Sequence, residues 1–164
     1  MEKGDLEAAL LLLQKAQTIC ETHAEDMTTL LADIYFSLSV ATGEMHNLLE
    51  VLDYGKKQLE FRILAERDLI EPTGDIGMAE SRLALAYIMN DQFKQALIHC
   101  DIALGLYNWE LGSSNRKWWP HFPLIHKAWS LSGLNRDSEA IEMLQETVRW
   151  REAKYGKNDT ESFK

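Results

Sequence analysis

The chain has 164 residues, 46% of them hydrophobic, which is the composition of a folded protein with a core rather than of a disordered chain. Asp and Glu outnumber Lys and Arg by 26 to 17, and the formal net charge of −9 would repel the phosphate backbone of a nucleic acid. The longest apolar run, Ala8 to Leu13, is far shorter than the roughly 20 residues of a membrane-spanning helix, and the N-terminus lacks the pattern of a secretory signal. We therefore expect no nucleic-acid partner and no membrane association, and by default a cytoplasmic location.

Apolar residues recur at three- and four-residue steps along most of the chain, and this spacing predicts α-helices with one buried face. The first helix is expected from Asp5 to about His23. Asp26 can cap a second helix, which the pair Thr42-Gly43 interrupts. A third helix is expected from Glu44 to about Asp68, before the turn-forming run at 71–74.

The second half of the chain predicts four more helices. Asp75 is the expected N-cap of the fourth, and Asn90-Asp91 begins the fifth. The segment 109–122 is predicted as a loop, because it is rich in turn-forming residues and Pro120 would interrupt a helix. Pro123 can occupy the first turn of the sixth helix.

The sixth helix is predicted at 124–131, and Gly133-Leu134-Asn135 separates it from a last helix, Asp137 to about Tyr155, which Gly156 ends. No segment has the pattern of a strand, so the fold class is all-α with about seven helices. The expected organisation is one domain, 1–164, made of a half repeat (5–23) and three hairpins (26–70, 75–108 and 123–155).

Small or apolar residues mark equivalent positions early in the second helix of each predicted hairpin. The aligned residues are Ala9, Leu48, Ala96 and Ala140, at spacings of 39, 48 and 44. Small side chains are needed where neighbouring helices of a stacked array cross closely. The pattern therefore indicates a repeat of helical hairpins.

The run Leu-Ala-Leu-Ala-Tyr at 83–87, followed by Asp-Gln-Phe at 91–93 and by Ala96, Cys100 and Ala103, resembles the tetratricopeptide repeat. The longer period and the segment 151–160, with its Gly-containing loop, are similar to the kinesin-light-chain-like branch, including proteins of this kind found in fungi. The resemblance implies a right-handed α-α superhelix that acts as a protein-interaction scaffold and is not an enzyme. The half repeat at the start and a helix-like start at 160–164 also predict that the chain is a fragment of a longer array.

In arrays of this family the first helices of the hairpins line a concave surface that binds a partner peptide or protein. The resemblance implies the following partner contacts: Asp33, Ser37, Ser81, Leu85, Met89, Ile125 and Trp129. A second candidate is the aromatic and basic cluster in the 109–122 loop. It consists of Arg116, Lys117, Trp118 and Trp119, which form either a lid over the core or a contact for a partner.

Two alternatives to a peptide-binding scaffold stay open. The terminal helices could mediate self-association into a homo-oligomer, because each has a neighbour on one side only. A pocket near the 109–122 loop, close to His121 and His126, could bind a small molecule or act in catalysis. Common phosphate, zinc and nucleophile motifs are absent, and Cys20 and Cys100 form no CxxC pair, so we expect no catalytic residue, no metal and no cofactor. Cys100 is expected inside the core with a raised pKa, whereas Cys20 could be exposed.

Overall fold

The computed structural model of the protein describes residues 3–69, 74–111 and 121–155, and all regular secondary structure in these ranges is α-helical. The helices are α1 (Lys3–Glu21), α2 (Thr28–Glu44), α3 (Leu48–Glu66), α4 (Asp75–Met89), α5 (Phe93–Leu111), α6 (His121–Gly133) and α7 (Asp137–Tyr155). The all-α fold class is confirmed, and the described ranges contain the expected seven helices.

The helices pack mainly against their neighbours in the chain. Helix α2 pairs with α3, α4 with α5 and α6 with α7, while α1 packs on α2, α3 on α4 and α5 on α6. One further contact joins the first helices of two hairpins, α4 and α6. The equivalent pair, α2 and α4, makes no such contact: no Cα of α2 lies within 8 Å of a Cα of α4.

The turns inside the three hairpins share one backbone geometry. Each contains a non-glycine residue in the left-handed conformation, namely His46, Asp91 and Asn135, with φ of 58°, 56° and 60°. In each turn the next N–H bonds to the carbonyl five residues earlier, at 3.0, 2.9 and 2.9 Å. This bond ends a helix in the Schellman manner, and Asn, Asp and His tolerate the left-handed conformation better than most side chains. The turns therefore define a structural repeat with spacings of 45 and 44 residues.

This repeat corrects the sequence alignment in α3. Counting five residues beyond each left-handed residue reaches Val51, Ala96 and Ala140, and all three are buried. The sequence alignment used Leu48, three residues too early. Leu48 is only half-buried, because it is the first residue of α3, whereas the prediction began that helix at Glu44.

Other helix boundaries also differ from the prediction. Helix α2 continues through Thr42-Gly43 to Glu44, since a glycine near the end of a helix does not by itself stop it. Its N-cap is Met27, without a side-chain cap bond, instead of Asp26. Gly74, with φ of 88°, takes the capping position expected for Asp75, which becomes the first helical residue.

Helices also extend into the segment 109–122, which was predicted as a loop. Helix α5 continues to Leu111 and α6 begins at His121, so only 112–120 lies between them, outside the described residues. Pro123 lies in the first turn of α6, as expected. Helix α6 continues to Gly133, beyond its predicted end at Leu131.

Small residues lie at the close crossings between helices. A Cβ at Gly55 in α3 would lie 3.3 Å from Cδ1 of Leu83 in α4 and 3.8 Å from Cβ of Ala86. On α5, Ala96, Cys100 and Ala103 are all completely buried. Larger side chains at these positions would separate the backbones, which is the physical reason for the small-residue pattern.

Tyr35 joins the first three helices. Its side chain is completely buried, and its ring stacks on Phe61 of α3 with the centroids 5.5 Å apart. The hydroxyl donates to Glu21 of α1 at 2.5 Å and accepts a bond from Lys57 of α3 at 3.3 Å. The bond from Tyr35 lowers the pKa of Glu21. The same core buries Cys20, which is 5% exposed, so the suggestion that this thiol is exposed was wrong.

Candidate functional site

A cleft opens between α2 and α4, and α3 forms its floor. Its volume is about 280 Å³. We call it the α2–α4 cleft and define it by its lining residues: Phe36, Ser39, Val40, Gly43 and Glu44 from α2, Val51, Gly55 and Gln58 from α3, and Arg82, Leu85, Ala86 and Met89 from α4. Six of the twelve lining residues have an apolar side chain. The cleft therefore offers a hydrophobic surface with a few polar groups, the usual composition of a binding site.

The cleft exists because different side chains meet at equivalent junctions between hairpins. The repeat spacings of 45 and 44 place Phe36 and Arg82 where the next junction has Ser81 and His126. At the α2–α4 junction, the Arg82 guanidinium carbon lies 3.7 Å from the centroid of the Phe36 ring. This stack of two large groups holds the helices apart.

At the α4–α6 junction, a small serine replaces the phenylalanine. Nδ1 of His126 lies 3.1 Å from the hydroxyl oxygen of Ser81 and 3.0 Å from its carbonyl oxygen, and both residues are buried. The short serine side chain lets α6 approach α4 directly, which agrees with the helix contacts described above. The first junction is therefore open and the second is closed.

Gln58 lies on the floor of the cleft and is only 2% exposed. Its amide forms no hydrogen bond with any other residue in the described part of the chain. The other buried polar side chains in that part all have a partner, which for Arg62 is Asp33, for Glu80 is His99 and for Thr42 is a backbone carbonyl. An unpartnered buried amide is costly, so a group that bonds to it would be favoured.

Two charges lie apart along the cleft. Arg82 contacts Phe36, whereas Glu44 ends α2. Since eight helical residues separate positions 36 and 44, the two ends lie about 12 Å apart along the helix axis. The cleft thus has a basic end and an acidic end, with the aliphatic side chains of Val40, Leu85 and Met89 also in its walls.

The contacts implied by the family resemblance separate into several groups in the structure. Leu85 and Met89 line the cleft, as a binding role would need. Ser81 does not reach the surface: it is completely buried and bonds to His126, so we remove it from the contact set.

The remaining predicted contacts lie outside the cleft lining. Asp33 is paired with Arg62 at 2.6 Å, and the Ser37 hydroxyl donates to the Asp33 carbonyl at 3.0 Å. Ile125 and Trp129 are 49% and 56% exposed on α6. The second predicted set, Arg116, Lys117, Trp118 and Trp119, lies outside the described residues.

Sequence reasoning missed four important cleft residues: Phe36, Val40, Gln58 and Arg82. A correct alignment of α3 would have pointed to Gln58, because it aligns with Ala103 in the next hairpin. A long polar side chain at a position that is small and buried in the next hairpin is an informative exception. The alignment on Leu48 concealed it.

The structure also bears on the cysteine, the histidine and the pocket that the sequence analysis singled out. Cys100 is completely buried, which confirms its assignment to the core, and this burial raises the pKa of its thiol to about 12. His126 is buried against Ser81, and the pocket suggested near the 109–122 loop falls on a segment that is mostly outside the described residues. Within residues 3–69, 74–111 and 121–155, no three His, Cys, Asp or Glu side chains are grouped so that they could hold a metal ion.

Helix α1 carries apolar side chains that self-association would use. Leu12 and Ile19, seven residues apart on one face, are 66% and 65% exposed. Self-association stays a prediction. None of the helices in the described ranges is both long enough and apolar enough to span a bilayer.

Comparison with known proteins gives no family assignment. No protein-family model and no curated protein matches the chain.

Proposed function

We propose that this chain is a tetratricopeptide-like stack of helical hairpins that binds a partner protein. The three turns of equal geometry, at spacings of 45 and 44 residues, support a repeat architecture of the superhelical type. The observation that supports binding is the α2–α4 cleft, with its apolar walls and the unpartnered Gln58 amide on its floor. Rigid helices around a concave apolar site suit the recognition of a peptide segment of another protein. The cytoplasmic location stays a prediction.

The proposal differs from the family expectation in where the partner binds. The resemblance implies contacts along the first helix of every hairpin, whereas we propose contacts at the open junction between α2 and α4. At the α4–α6 junction, the buried contact between Ser81 and His126 brings the two helices into direct contact. Exposed side chains on α6, among them Trp129, would extend the interface beyond the cleft.

A random twelve-residue peptide display library, selected against the immobilised chain, tests this function. Enriched peptides are synthesised, and their dissociation constants are measured by fluorescence anisotropy with the wild type and two variants. Val40→Glu places a charge in the cleft wall at a residue that is 50% exposed. Ile98→Glu is the matched control, since Ile98 is a 58% exposed aliphatic residue of α5 outside the cleft.

We expect Val40→Glu to weaken binding about tenfold or more, because the new carboxylate must lose water when an apolar group enters the cleft. Ile98→Glu should leave the dissociation constant within about twofold of the wild-type value. The proposal fails if no peptide is enriched, or if both variants bind the selected peptides like the wild type.

A further inference from the structure

The unpartnered amide of Gln58 specifies what kind of peptide the cleft can bind. A primary amide has one carbonyl that accepts hydrogen bonds and one NH2 group that donates them. A main-chain peptide unit has the complementary pair, one N–H and one C=O. Because Gln58 is 2% exposed on the floor of the cleft, a ligand must enter the cleft to reach it.

A main-chain hydrogen bond to this amide would fix the conformation of the ligand. In an α-helix the main-chain N–H and C=O groups already bond to each other, so the middle of a helical ligand has none to offer to Gln58. An extended segment keeps these groups free. It also directs alternate side chains to opposite sides, so a residue beside the bonded unit can point into the apolar part of the cleft.

The cleft charges set the direction of the segment. Between Arg82 and Glu44 there is room for about four extended residues, since the two ends are about 12 Å apart along α2 and each extended residue spans about 3.3 Å. An acidic residue is favoured near Arg82 and a basic residue near Glu44. The aliphatic walls between them include Val40, Leu85 and Met89.

We infer that the α2–α4 cleft binds an extended peptide segment whose main chain hydrogen-bonds to the Gln58 amide and whose aliphatic side chain packs among Val40, Leu85 and Met89. This inference rests on the proposed function and specifies the class of partner. It also assigns a role to a buried polar residue that would otherwise only destabilise the fold.

The test combines a variant of Gln58 with a modified peptide. Gln58→Met keeps a side chain of similar length but removes the donor and the acceptor. The probe is the tightest peptide from the display selection, in its ordinary form and in a series with one main-chain N–H methylated at a time. The matched control is Gln95→Met, the same change at an exposed position of α5.

Two effects of opposite sign are expected from Gln58→Met. Its affinity for the ordinary peptide should fall about tenfold, while the midpoint of thermal unfolding of the free protein should rise, because the variant no longer buries an unpartnered amide. Gln95→Met should change neither quantity. One methylated peptide should lose affinity for the wild type by a similar factor and show no such loss with Gln58→Met, as expected when both changes remove the same bond.

Nuclear magnetic resonance provides a second measurement on the unmodified protein. The side-chain NH2 signals of Gln58 should shift when the ordinary peptide is added, whereas those of Gln95 should not. The inference is overturned if the peptide binds Gln58→Met as tightly as the wild type, or if methylation weakens binding to both proteins equally. In those cases peptide binding itself, and hence the proposed function, would stand. If no peptide is enriched in the selection, both fail.

Discussion

The crossing of α3 and α4 at Gly55 gives a quantitative prediction for the packing of the hairpins. Replacement by alanine adds a Cβ that lies 3.3 Å from Leu83 Cδ1, and the end of that side chain can move by the few tenths of an ångström required. Alanine also stabilises a helix interior by about 1 kcal/mol relative to glycine. We therefore expect Gly55→Ala to be neutral or to stabilise the protein by up to about 1 kcal/mol.

Valine at the same position should have the opposite effect. Its two methyl groups are attached directly to Cβ, so they cannot both turn away from α4, and the Leu83 backbone is only 3.9 Å from that Cβ. Overpacking of this kind costs about 1–3 kcal/mol. For a chain of this size, that loss lowers the midpoint of thermal unfolding by about 2–4 °C per kcal/mol.

Gly105 of α5 is the matched control, because a Cβ at this helical position would meet nothing within 4 Å. Gly105→Val should stabilise the protein slightly, by about 0.4 kcal/mol from helix propensity alone. Urea denaturation of the three variants and the wild type measures the free energies of unfolding. Equal stability of Gly55→Val and Gly105→Val would show that α3 and α4 do not cross closely at Gly55.

Two further predictions concern titratable groups, the exposed Glu21 and the buried Cys100. The bond from Tyr35 is the main reason that the pKa of Glu21 lies below its ordinary value of 4.5. It therefore stabilises the fold above pH 4.5, and this contribution is lost as the pH falls through the lower folded pKa. Tyr35→Phe should therefore lose less than about 1 kcal/mol at pH 7, because water screens the exposed carboxylate. Urea denaturation should also show a smaller loss of stability between pH 5 and pH 3 than in the wild type, and an equal pH dependence would contradict the bond. Because its pKa is raised to about 12, the Cys100 thiol should react with iodoacetamide at pH 8 on the order of a thousandfold more slowly than a free thiol, until the protein unfolds. Mass spectrometry follows the labelling. Rapid labelling of the native protein would show that the thiol is not buried.

The sequence by itself determined the helices and much of their buried face. Apolar spacing is a local property, so it predicted an all-helical chain, and proline's missing N–H predicted the position of Pro123 in the first turn of α6. The same spacing placed Cys100 between Ala96 and Ala103 on the inner face of α5, where the structure buries all three completely. Short-range sterics and the period of the helix are sufficient for these results.

The points at which helices end were harder to predict from the sequence. His46 takes a left-handed conformation that few side chains adopt, and nothing in the sequence pattern marked it as the turn between α2 and α3. The resulting error of three residues in α3 moved the alignment from Val51 to Leu48 and concealed the unusual position of Gln58. A local mistake about one turn thus became a mistake about the candidate site.

Only the tertiary structure decided that there is a cleft. It depends on which side chains meet at each junction. Phe36 meets Arg82 between α2 and α4, whereas Ser81 meets His126 between α4 and α6. The two pairs occupy equivalent positions, and the difference in their volumes sets how closely the first helices approach. Such a distance is a property of side chains brought together from separate helices, and it is therefore fixed by packing rather than by any local pattern of residues.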